Sequence, residues 1–149
     1  NHIVHEAIEA GLIPELCDYS HIRPEVKYGE NSRIDLLLTG DGKEDCYVEI
    51  KNVTLLTEDG VAAFPDSVSK RASKHMRELT SMVEAGHRAV VFFLVSRTNI
   101  SAMRPADELD PAYGIELRAA TSACVEALAY RLDFGDDSVS VGQRIPIQL

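Results

Sequence analysis

Apolar and polar positions alternate along this chain with two different periods. In "IVHEAIEAG" the apolar residues Ile3, Val4, Ala7 and Ile8 recur at helical spacing, and Gly11 supplies a stop. A loop is predicted through "IPELCDYSHI", then a short strand in "RPEVKYG" beginning after Pro24. "SRIDLLLTG" and "DCYVEIKNVTLL" read as two stronger strands joined by the Gly- and Asp-rich hairpin turn "GDGKE". Pro65-Asp66 predicts a turn and an N-cap for a helix reaching about Ala85. Its apolar stripe is Val68, Ala72, Met76, Leu79 and Val83, and Gly86 ends it. "RAVVFFLVS" is continuously apolar from Ala89 to Val95, as in a strand covered on both faces. "DPAYGIELRAATSA" predicts another helix, and "VEALAYRLDF" and "SVSVGQRIPIQL" two closing strands. The order α-β-β-β-α-β-α-β-β implies a mixed sheet with flanking helices, α/β or α+β.

One strand breaks the simple picture. "CYVEIKNVTLL" is apolar and β-branched, yet carries Glu49 and Lys51. Strand side chains alternate faces, so both charges point one way with Tyr47 and Val53, while Cys46, Val48 and Ile50 point the other. If the hairpin pairs symmetrically about Gly42, Asp35 lies opposite Glu49, Arg33 opposite Lys51 and Leu37 opposite Tyr47. Two carboxylates about 5 Å apart at an effective dielectric near 20 repel by roughly 3 kcal/mol. A shared proton, the neighbouring Lys51 or a divalent cation can offset this. Two carboxylates completed by water and phosphate are the hard oxygen set that Mg²⁺ or Mn²⁺ takes. Lys51 would then orient a metal-bound water or stabilise charge on a phosphate. Asp35, Glu49 and Lys51 thus form a candidate metal-dependent phosphodiesterase site. A cross-strand Glu–Lys pair on a solvated face is the plain alternative. Against it, Asp35 interrupts the apolar "IDLLL", where an unpartnered charge is costly.

Composition changes the picture only in part. The chain has 149 residues, 45% hydrophobic and 26% charged, which suits a single domain spanning 1–149. No apolar run approaches bilayer length, so no membrane association is expected. The N-terminus has no signal-peptide pattern and no initiator Met, which predicts a fragment or a processed product. Cys17, Cys46 and Cys124 are scattered without a C-x-x-C pair. Neither a disulfide framework nor a zinc cluster is expected, and a reducing cytoplasm fits best. The net charge of −9 argues against a nucleic-acid partner unless cations are gathered locally. They are. "SKRASKHMREL" places Lys70, Lys74 and Arg77 on one helix face, overlapped by Arg71 and His75. That strip reads as a phosphate track or as a solvated face. His75 suits either an ion pair with Glu78 or a phosphate contact, and Arg33 either holds Asp35 or touches phosphate.

"NSRIDLLL", "CYVEIKNVTLL", "FPDSVSKRASKHMREL", "GHRAVVFFLV" and "VEALAYR" follow one another as in the sugar fermentation stimulation protein A family, which the chain resembles over nearly its whole length. The resemblance implies a PD-(D/E)xK restriction-endonuclease-like domain with an αβββαβ core. It also implies non-specific DNA binding and a link to regulation of sugar (maltose) metabolism. By motif, Asp35 falls on the family's strand Asp, and Glu49 and Lys51 on its E-x-K. Glu6 matches an acid on the first helix that related nucleases use as a further metal ligand; an ordinary solvated Glu explains it equally well. An N-terminal OB-like domain of the family, which would add to DNA binding, is absent from this chain. Ala72 stands where Gly is common, and Asn52 where Ser is common. Two functions are implied: a Mg²⁺- or Mn²⁺-dependent nuclease, or a non-catalytic DNA-binding regulator that keeps the fold.

Overall fold

The computed structural model describes residues 1–57 and 59–149. Helix α1 (His2–Glu9) is followed by a short 3-10 turn at Pro14–Leu16 and by β1 (His21–Tyr28). Then come β2 (Ser32–Thr39), β3 (Cys46–Val53), β4 (Leu55–Leu56) and β5 (Ala62–Phe64). Helix α2 (Lys70–Glu84), β6 (Arg88–Val95), β7 (Met103–Pro105), α3 (Pro111–Ser122), β8 (Glu126–Phe134) and β9 (Val139–Arg144) complete the order. Six strands form a mixed sheet in the order β1-β2-β3-β6-β8-β9. β3, β6 and β8 run parallel, joined through α2 and α3, while β1, β2 and β9 are antiparallel to their neighbours. α1-β1-β2-β3-α2-β6 is the αβββαβ core of the PD-(D/E)xK fold.

The two faces of β6 explain its uninterrupted hydrophobicity. Ala89, Val91, Phe93 and Val95 pack beneath α2 and α3, while Val90, Phe92 and Leu94 pack on the side of α1. The α2 stripe is narrower than its periodicity predicts: Ala72, Met76 and Leu79 are buried, but Val68 is 68% exposed and precedes the helix. The cap also differs from the sequence expectation. Ser69, not Asp66, begins α2, because its hydroxyl accepts the Ala72 N–H at 3.0 Å. Its own N–H is anchored 2.8 Å from buried Asp110, the cap of α3, which also accepts the Tyr113 N–H at 3.1 Å. One carboxylate therefore closes two helix starts. Asp110→Ala is expected to lower unfolding stability by about 2 kcal/mol, read from urea melts.

Three further departures are local. β1 starts at His21 and carries Pro24 inside it, tolerated because β1 is an edge strand. β4, β5 and β7 make a small second sheet that the sequence pattern does not announce, their runs being two or three residues long. β9 ends at Arg144, and a bridge from Ile147 to Met103 ties the final segment to the small sheet. Among the described residues no helix is long and apolar enough to cross a membrane.

Candidate metal and nucleic-acid site

The β2–β3 hairpin pairs as its symmetry about Gly42 requires, with Leu37 opposite Tyr47 and Leu36 opposite Val48. One step further the ladder stops, and the side chain of Asp35 replaces it. Its Oδ2 accepts the Ile50 N–H at 2.7 Å. The cause is a reversal of the strand's faces at this residue. Ile34 lies in the core beneath α2, whereas Leu36 and Leu38 lie in the core on the α1 side. Glu25, across from Asp35 on β1, accommodates the reversal with a left-handed φ of 55°. Asp35 Oδ1 accepts from the Asn1 amide at 3.0 Å, so the residue that opens α1 supports the same carboxylate.

Glu49 and Lys51 share the face of β3 that α2 covers, as alternation predicts. Glu49 is 3% exposed. Burial, with hydrogen-bond contact to Asp35, pushes its carboxyl well above the usual carboxylate range. Burial pulls the Lys51 ammonium below its ordinary value, opposed by Glu49 and Asp35. His75, 4% exposed, closes the group: its Nδ1 lies 2.9 Å from Lys51 Nζ and 3.1 Å from Glu49 Oε2. That nitrogen cannot accept from one and donate to the other at once. Burial and the cations of Lys51 and Arg71 hold the imidazole down at about 4, so it is neutral near pH 7. The ammonium of Lys51 has only hydrogens to offer, so Nδ1 accepts from it and has no proton for Glu49. Glu49 Oε2 accordingly is a buried acceptor without a hydrogen-bond donor.

The residues fit a divalent cation on that observation. A buried, unpartnered carboxylate oxygen beside a second carboxylate needs a positive charge or a proton. Among the described residues no group of three or more Asp, Glu, His or Cys side chains is arranged to hold a metal ion. Asp35 and Glu49 are two hard carboxylate donors of the kind a divalent cation takes.

The structure sorts the other sequence candidates. Arg33, Arg71, Lys74 and His75 line one cleft with Asp35 and Glu49. Arg33 is not opposite Lys51, because the ladder has ended; it pairs in register with Lys27 of β1. Lys70 is exposed at the start of α2. Arg77 turns to α3, bonding Glu116 at 3.2 Å. Glu6 is not brought to the cleft: it is exposed and borders a groove between α1 and β9 with Val139 and Val141. Glu78 serves the β1–β2 turn, accepting from Ser32 Oγ at 2.6 Å and the Glu30 N–H at 2.9 Å. The burial of His75 has a sequence signal: Ala72, His75 and Leu79 are spaced three and four apart, on the apolar stripe. Nothing comparable marks Asn1.

The family model for the Sugar fermentation stimulation protein RE domain (SfsA) matches residues 1–138. A sugar fermentation stimulation protein homolog of Geotalea daltonii is 53% identical over all of this chain and 64% of its own length. That of Geobacter sulfurreducens is 52% identical over 99% of this chain and 62% of its own. Among solved structures, Pyrococcus furiosus SfsA in complex with Ca²⁺ is similar at a TM-score of 0.86 and 27% identity, covering 98% of this chain and 62% of that one. The chain thus spans less than two thirds of the length of these relatives.

Proposed function

The chain belongs to the sugar fermentation stimulation protein family, and on that premise we propose that its cleft binds a divalent cation and hydrolyses phosphodiester bonds in nucleic acid. The observation that carries this reading is the meeting of Asp35 with the buried, donorless Glu49 Oε2 in a cleft flanked by cations, with Lys51 bonded to His75 of the cleft wall. Asp35 and Glu49 would hold Mg²⁺ or Mn²⁺, which when bound acidifies water and polarises a phosphoryl oxygen. Glu6 has no part in that ligand set. Ca²⁺ in the Pyrococcus furiosus protein supports a divalent site of hard oxygens. Lys51, pinned by His75, presents its ammonium where charge grows on the phosphate in the transition state. Arg71, Lys74 and Arg33 bind the flanking backbone and orient it, a sequence-independent role suited to non-specific DNA binding. Through that binding the domain would act in the regulation of sugar use, including maltose. Cys17, Cys46 and Cys124 are free thiols, which supports a reducing cytoplasmic setting.

Single- and double-stranded DNA incubated with the protein in Mg²⁺ or Mn²⁺ test this directly. Cleavage that disappears in chelator and in Asp35→Ala is the expected result. Binding without cleavage in either metal would assign the domain as a DNA-binding regulator that keeps the fold.

A further inference from the structure

We infer that the β1–β2 ribbon is a second phosphate-binding arm, presenting Lys27 and Arg33 to a nucleic-acid backbone that also runs along α2. This deepens the nucleic-acid reading above and rests on it. Lys27 and Arg33 are directly opposite in the antiparallel register, and both are exposed. Like charges so placed destabilise a ribbon, whereas an acid at one of the two positions would stabilise it. Among the described residues neither cation makes an ion pair. Arg33 spends one N–H on the Glu25 carbonyl at 3.4 Å, leaving most of its fork free. In a chain carrying 24 acids and 15 Lys and Arg, such a pair is what an external anion would complete.

Position supports the same conclusion. Arg33, with Asn31 and Ser32, lines both the candidate catalytic cleft and the hollow beside it that holds Lys27. A backbone seated in the cleft is thereby continued onto the ribbon. The ribbon is also braced. Glu78 of α2 takes the Glu30 N–H and the Ser32 hydroxyl, and Lys74 Nζ donates to the Glu30 carbonyl at 2.7 Å. Gly29, at φ 57°, allows this closeness, since a Cβ there would collide with the Glu78 carboxylate. Two arms joined through α2, one helical and one of β-ribbon, grip phosphates on either side of the cleft, and so recognise a continuous polyanion better than an isolated phosphate group.

The test is duplex binding without metal, so that its outcome does not depend on cutting. Anisotropy of a fluorescein-labelled duplex is measured in EDTA across a salt series for wild type, Lys27→Ala/Arg33→Ala, and Lys43→Ala. Lys43 lies in the turn at the far end of the β2–β3 hairpin. Each lost phosphate contact lowers the slope of log K against log salt by about 0.9, so the double variant should lose roughly 1.8. Near 0.1 M salt its affinity should fall roughly ten- to hundredfold. Lys43→Ala should match wild type. A double variant with an unchanged slope overturns the ribbon arm alone, as does an equal loss in Lys43→Ala. A wild type that binds no nucleic acid overturns both this inference and the proposed function.

Discussion

Lys51→Ala is expected to bind Mn²⁺ and DNA but to cut about 10²–10³-fold more slowly than wild type, the usual cost of removing one preorganised donor from a phosphoryl transition state. The geometry separates the roles. Asp35 and Glu49 supply the oxygens for a cation, while Lys51 donates to His75 Nδ1 at 2.9 Å and keeps further N–H groups for a phosphate oxygen or an attacking water. Its side chain leaves β3 on the same face as Glu49, two residues on, so truncation removes the charge without disturbing the ladder to β6. Single-turnover cleavage at saturating protein, alongside a Mn²⁺ titration read by thermal shift, distinguishes loss of chemistry from loss of metal. Wild-type cutting rates in Lys51→Ala would remove the residue from the mechanism. Lost Mn²⁺ binding would make it a support for the carboxylates instead.

Glu49→Gln should behave in the opposite sense for stability. In metal-free buffer at pH 8 the variant is expected to be more stable than wild type by on the order of 2–3 kcal/mol, because wild type must bury the Glu49 charge beside Asp35 or take up a proton on folding. For a domain of this size that is about 5–10 °C in Tm. The pH dependence has a definite sign. The folded Glu49 carboxyl sits above its unfolded value, raised by burial and by Asp35. Below the unfolded value both states are protonated and wild type loses nothing. As pH rises, the unfolded chain ionises first, and wild-type stability falls until the folded group follows. The gap between Glu49→Gln and wild type should therefore widen from about pH 5 to pH 8. Mn²⁺ should then reverse the order. Wild type would gain about 4.1 kcal/mol at a thousandfold excess over Kd, and the variant, lacking the oxygen that draws the cation, little. Melts at the two pH values, with and without Mn²⁺, check all three statements. A variant no more stable than wild type without metal would mean that the carboxylates do not oppose one another. Such an exchange of stability for function is common where a buried charge is kept for its chemistry.

Much of the site was legible from local order. The period of two put Glu49 and Lys51 on one face of β3, and the symmetric turn about Gly42 put Asp35 next to Glu49. The unbroken apolar run marked β6 as covered on both sides, and the element order marked the αβββαβ core. These features depend on residues close together in the chain, so local pattern is enough to set them.

What surrounds the carboxylates was settled by packing. His75 looks like part of a basic helix, but α2 docks with His75 inward, against Lys51. Asn1 and Asp35 are 34 residues apart, and Glu78 and Ser32 are 46 apart. Neither pairing has a period that could announce it. The face reversal at Asp35 is matched by a left-handed φ at Glu25 on the neighbouring strand, and the β2–β3 ladder ends before Arg33 can meet Lys51. Motif alone groups Glu6 with the carboxylates, yet docking of α1 leaves it bordering β9. Periodicity states which face of an element is buried. Only the assembled sheet and helices decide which polar groups meet there, because those meetings are chosen by long-range contacts that must satisfy every buried donor, acceptor and charge together.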